Sequence, residues 1–220
     1  DNPRMRGAAP ARMAAGEGGA GGRVSPASGR DRVARQGVDV IVDAAREHPG
    51  EITLVCIAPL TNVALALRTE PELGDLLDSV WVMGGNVNCL GNVTPAAEYN
   101  FWVDPDAAKL VLNELDVTLF DWGLTVRDTV FDAETLARIE AMDTPYADFY
   151  AEITTPVREF NRESFDADVT TQPDSAMVAG LIEPDLIEAS STYHVDVDDR
   201  EGMTRGYSAV DEDGVGDGDP

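Results

Sequence analysis

Positive charge is what this chain has least of. Its 220 residues hold 41 acids against 16 Lys and Arg, a net charge of −25 at pH 7, and Lys109 is the single lysine. A surface so acidic repels nucleic-acid phosphates and anionic membranes, which argues against both as partners. Cysteine and histidine are equally scarce, two of each. Cys56 sits in an apolar run and Cys89 in a glycine-rich stretch, without the spacing of a disulfide framework or a zinc site. Both read as free thiols of a reducing compartment, so the expected location is the cytoplasm. Apolar runs long enough to span a bilayer are lacking, and no segment reads as a signal peptide. Disorder is a poor account of the acidity, because 43% of the residues are hydrophobic and strongly patterned. Adaptation to high salt is the better one: counterions screen the self-repulsion while carboxylates hold water.

The charge is uneven. Residues 1–36 carry seven arginines and three acids, a net of +4, which leaves −29 for residues 37–220. That segment is crowded with Gly, Ala, Pro and Arg and has no hydrophobic period. It reads as a flexible basic tail or as degenerate sequence. Beyond it, strand and helix signals alternate. Residues 33–48 predict a helix ended by His48-Pro49-Gly50, with the histidine favourable near its C-terminus. Residues 52–58 and 79–84 read as short buried strands and 117–122 as a further strand, separated by helices at 62–68 and from Pro105 to Glu114, the latter capped by Asp104. The pattern predicts an α/β fold: an open, mostly parallel (mixed) sheet flanked by helices. Residues 132–166 read as helical, with Tyr146, Phe149, Tyr150, Ile153, Val157 and Phe160 as a core-facing stripe. A helix at 174–183 and strands at 186–197 and 203–210 follow. Residues 212–220 lack any core pattern and read as an acidic tail.

Chemistry concentrates in WVMGGNVNCLGNVTPAAEYNFWVDPDAA, residues 81–108. Glycines 84, 85 and 91 let the backbone turn where side chains would clash. On an extended segment Glu98 and Asn100 share one face, and such a pair can accept from, and donate to, adjacent hydroxyls of a sugar. The alternative is a glycine-rich strand-to-helix loop with solvated polar residues.

The flanks sharpen this. TLVCIAPLTNVALAL at 53–67, the run above, QPDSAMVAGLIEP at 172–184 and TRGYSAVD at 204–211 together resemble the inosine–uridine-type nucleoside hydrolases. These are calcium enzymes that cleave the N-glycosidic bond of ribonucleosides. The resemblance is strong over residues 37–211 and faint before them. It implies that Asn92, Glu98 and Asn100 grip ribose hydroxyls and that Met83 lines the sugar pocket. It also implies that the Thr61 carbonyl and Asp174 are calcium ligands, and that a small-molecule nucleoside is the partner. Helices near 132–166 cover the nucleobase in that family, so one tyrosine there is a stacking candidate.

Departures from the family pattern are as informative. Its aspartate-rich loop of the form DxDxxxDD, source of most metal ligands and of the general base, is not found here. The acidic runs Asp196–Asp199 and Asp211–Asp213 have no Gly-rich turn before a helix. A loop that normally opens with histidine has Ala15, and the position before the late aspartate is Pro173, not histidine. His194 reads as structural. No catalytic residue is therefore assigned, calcium binding is expected to be weak or absent, and Asp174 can also be read as a helix N-cap. Without the strand bearing that loop, a parallel sheet presents an unpaired edge, which lowers stability and favours association with a second copy. The leading expectation is nucleoside hydrolysis. Its rivals are an inactive remnant that binds nucleoside or ribose, and an acidic protein that binds cations loosely.

Overall fold

The computed structural model describes residues 35–216. The expectations for residues 1–34, and for the last four residues of the acidic tail, lie outside that range. Two compact units divide the described chain, one of residues 35–125 and 173–216, the other of 126–172.

The larger unit opens with α1 (Gly37–Glu47), whose Val42 and Ala45 are buried on one stripe while Asp39 and Arg46 stay at the ends. His48 closes it, its N–H bonded to the Ala44 carbonyl. Next come β1 (Thr53–Cys56), α2 (Thr61–Thr69), α3 (Leu73–Leu76) and β2 (Ser79–Met83). The chain continues through α4 (Tyr99–Val103), α5 (Pro105–Glu114), β3 (Val117–Phe120) and α6 (Trp122–Asp128). The three strands are parallel in the order β1-β2-β3, with Thr53 opposite Ser79 and Val80 opposite Val117. Val80, Val82 and Met83 of the middle strand are buried, as a strand covered on both faces requires. Among the described residues β1 is paired on one side only. Helix α1 packs on α2, and α2 on α5. Leu60, Leu73, Phe101 and Val111 fill the space between helices and sheet, each such burial stabilising by about 1.5–3 kcal/mol. Asp104 caps α5 by accepting from the Ala107 amide, with Pro105 in the first turn, as predicted.

The second unit pairs β4 (Val130–Phe131) antiparallel with β5 (Thr170–Thr171) around α7 (Ala133–Glu140) and α8 (Pro145–Phe165). Asp132 and Thr144 cap these helices through the amides of Thr135 and Ala147. Arg158 ties α8 together: its guanidinium donates to both oxygens of Asp168 and to Glu140. The aromatic stripe is not uniformly core. Tyr146 is 87% and Phe149 45% exposed, whereas Ala147 is buried. The buried line of α8 therefore runs through Ala147, and Tyr146 and Phe149 lie off it. Tyr150 joins a polar cluster, its hydroxyl 2.8 Å from Thr170 Oγ1.

The chain returns to the larger unit as α9 (Pro173–Ile182), which packs on β2. A 3-10 turn (Pro184–Leu186) then precedes β6 (His194–Val197) and β7 (Ser208–Asp211), which pair antiparallel with each other. The late strands are shorter than expected and form a separate hairpin instead of extending the parallel sheet. Residues 187–193 are largely exposed, so nothing apolar holds them extended. Lys109 anchors the hairpin to α5, its Nζ 3.1 Å from Asp196 Oδ2, while Val197 enters the core.

Candidate functional site

The loop from β2 to α4 is built around close backbone approaches. Gly84 N–H donates to the Phe120 carbonyl at 3.2 Å and Trp122 N–H to the Gly85 carbonyl at 2.9 Å, fastening the loop to the end of β3. Gly85 has φ +68, and a Cβ there would lie 2.6 Å from Ser208 Oγ and 2.8 Å from the Phe101 ring. Only glycine satisfies both demands. At Gly91 a Cβ would meet the Ala97 carbonyl at 2.0 Å, so the loop's two arms press together.

Glu98 is the centre of this arrangement. It does not lie on an extended segment sharing a face with Asn100, as the sequence pattern predicts. It is the N-cap of α4, and Asn100 is already helical. The Glu98 Oε2 accepts from the amides of Gly85 at 3.0 Å, Asn100 at 2.9 Å and Phe101 at 3.3 Å. The reason is local: the first amides of a helix lack intrahelical partners, and a carboxylate immediately before them supplies one. The Asn92 side chain also bonds the carboxylate, while Asn92 Oδ1 accepts from the Tyr99 amide at 2.9 Å. Glu98 is 2% exposed. Burial outweighs all these hydrogen bonds and pushes its carboxyl up to about 7. Asn100 Nδ2 donates to the Met83 carbonyl at 3.0 Å and lies 3.7 Å from its sulfur. The structure thus brings Met83, Asn92, Glu98 and Asn100 into one hydrogen-bonded cluster at the C-terminal end of β2, where open α/β sheets carry their ligands. A carboxyl near neutrality beside two carboxamides can both donate to and accept from hydroxyl groups.

Three supporting residues were not singled out from the sequence. Asn86 accepts from the Glu98 amide at 3.1 Å and donates to the Cys89 carbonyl at 3.0 Å. Ser208 Oγ accepts from the Asn86 amide at 3.1 Å. The Asp121 carboxylate accepts from the amides of Val87 and Gly123. Asn86 follows two glycines and Ser208 sits in TRGYSAVD, so both were in view, but no spacing rule links positions 122 residues apart.

Thr61 and Asp174 lie on two other helices, α2 and α9. Thr61 is the first residue of α2, and its hydroxyl donates to Asp104. Asp174 lies within the first turn of α9, after Pro173, and is not its N-cap. It is half-buried, and burial raises its carboxyl above the usual range. No group of three or more His, Cys, Asp or Glu that could hold a metal is present among the described residues. Calcium takes about six to eight oxygens, so Thr61 and Asp174 alone do not fit it. His194 opens β6 opposite Asp211, a structural place. Burial pushes the Cys56 thiol up to about 11, which makes it a poor nucleophile.

Comparison with known proteins decides the family. Residues 1–220 match the inosine-uridine preferring nucleoside hydrolases. The chain belongs to that family. An uncharacterized protein of Schizosaccharomyces pombe is 31% identical over 213 residues, 96% of this chain and 68% of its own. The pyrimidine-specific ribonucleoside hydrolase RihB of Escherichia coli is 32% identical over 201 residues, 91% of this chain and 63% of its own. Among solved structures, a plant nucleoside hydrolase superposes with a TM-score of 0.85 at 26% identity, over 96% of this chain and 65% of that one. A purine-preferring ribonucleoside hydrolase from Gardnerella vaginalis gives 0.81 at 27% identity, over 91% and 63%. The chain spans about two thirds of the length of these family members. The open α/β fold expected from the sequence is the nucleoside hydrolase fold. None of the described helices is long and apolar enough to cross a membrane.

Proposed function

We propose that the chain acts on ribonucleosides, hydrolysing the N-glycosidic bond to give ribose and free base. The observation that carries this reading is the cluster of Met83, Asn92, Glu98 and Asn100, held by one loop at the end of the middle strand. Family membership supports it. Such hydrolysis passes through an oxocarbenium-like ribose, so the protein's first task is to hold the sugar rigidly. Glu98, fixed by three backbone amides, keeps hydrogen-bonding capacity for a hydroxyl, and Asn92 and Asn100 flank it.

Thr61 and Asp174 are the residues we assign to calcium, which in a complete site supplies charge stabilisation to a bound oxygen. Two donors do not make that site, so no step of the mechanism is routed through the ion. The excess of acids fits a salt-adapted cytoplasmic enzyme.

A second reading is favoured by the lack of a metal-holding cluster among the described residues: a ribose- or nucleoside-binding protein without turnover. Incubating the chain with inosine and with uridine, calcium present, and measuring released ribose separates the two. Turnover supports the first reading, binding without release the second, and neither binding nor release overturns both.

A further inference from the structure

We propose that Asn86, braced by Ser208, is a positioning residue for Glu98. The inference rests on the sugar-binding reading above and deepens it. Asn86 is 1% exposed, so it does not present itself to a ligand. Both polar ends of its side chain hold backbone. Its Oδ1 takes the Glu98 amide, its Nδ2 grips the Cys89 carbonyl, and its own amide is held by Ser208 Oγ. One side chain thus joins the start of the loop, its midpoint and the residue that caps α4.

Ser208 adds an anchor from a different part of the chain. It is buried on β7, and the space it occupies is the space a Cβ on Gly85 would need. Its hairpin is itself fixed to α5 by Lys109 and to the core by Val197. The brace therefore transmits the placement of a rigid element to Glu98, whose amide Asn86 holds and whose carboxylate Gly85, the neighbour of Asn86, also binds. A fully satisfied buried network of this kind specifies one geometry, and losing a member releases its partners. If Asn86 were only a satisfied core polar group, its loss would lower stability without altering the Glu98 environment.

The test uses the full chain with Asn86→Ala, Ser208→Ala and Ser208→Thr, and with Val111→Ala on α5, outside the loop, as a destabilised control. Glu98 side-chain carbon shifts followed against pH give its titration midpoint, and calorimetry gives the affinity for D-ribose. Expected is a higher midpoint in Asn86→Ala and Ser208→Ala, because amides that stabilise the carboxylate loosen. D-ribose affinity should drop about tenfold in Asn86→Ala. Val111→Ala should leave the midpoint unchanged, and Ser208→Thr, which keeps the hydroxyl, should stay near wild type. Should Asn86→Ala fail to fold, Ser208→Ala decides. A wild-type midpoint in the folded alanine variants overturns the proposal. Absence of D-ribose binding by wild type overturns the sugar reading instead, and the midpoint still judges the brace.

Discussion

The carboxylate of Glu98 lies 3.0 Å from the backbone amide of Gly85, thirteen residues earlier in the chain. That contact closes the glycine loop against the start of α4 and puts an ionisable group where solvent barely reaches. Loop closure and carboxyl chemistry are therefore one feature, and disturbing either disturbs the other.

Stability should carry the mark of Glu98 in its pH dependence. Burial raises its carboxyl from 4.5 in the unfolded chain to about 7 in the fold. The folded protein then binds this proton more tightly than the unfolded chain. The resulting stabilisation is complete below 4.5 and is lost as pH rises through about 7. The other acids are common to wild type and Glu98→Gln, so the difference between their denaturant midpoints isolates this group. That difference should shift against wild type between pH 5 and pH 8; a constant difference would remove the buried-acid account.

Gly85→Ala should be severely destabilising. The left-handed backbone costs a side-chain residue about 1–2 kcal/mol, and the Cβ collides with Ser208 Oγ and the Phe101 ring, adding roughly 1–3 kcal/mol. Urea unfolding of the variant should show a total loss of about 2–5 kcal/mol. A loss near zero would mean that the loop is not closed as described.

High salt should stabilise the protein. With a net charge of −25, self-repulsion is screened as the Debye length contracts from about 10 Å at 0.1 M towards 3 Å at 1 M. Thermal unfolding in increasing KCl should move upward across that range. A flat or falling Tm would remove salt adaptation from the account.

Calcium should bind weakly or not at all. Calorimetric titration with CaCl2 should show at most millimolar heats, little changed by Asp174→Asn. A micromolar site abolished by that substitution would show that Asp174 belongs to a complete shell.

Much of the fold was legible because its signals are local. The strands at 53–56, 79–83 and 117–120 are short apolar runs, although only the middle one is largely buried, and Asp104-Pro105 announces α5 without ambiguity. Met83, Asn92, Glu98 and Asn100 were picked out from the sequence, but their geometry was not legible there. Glu98 and Asn100 look like alternating strand residues, yet the amides at the start of α4 draw the carboxylate into a cap. The third amide, from Gly85, lies thirteen residues earlier, and no local pattern points to it. Asn86 and Ser208 were missed for a related reason: their bond joins distant segments, and periodicity reports only neighbours. The stripe through Tyr146 and Phe149 misled because helical spacing says which residues share a face, not whether that face is covered.

The most direct test of the sugar pocket is a D-ribose titration followed by backbone amide resonances. Saturable shifts concentrated at Gly85, Tyr99, Asn100 and Phe101, and absent in Glu98→Ala, are the predicted result. Shifts centred elsewhere, or none at saturating sugar, would contradict the assignment of this loop to ribose.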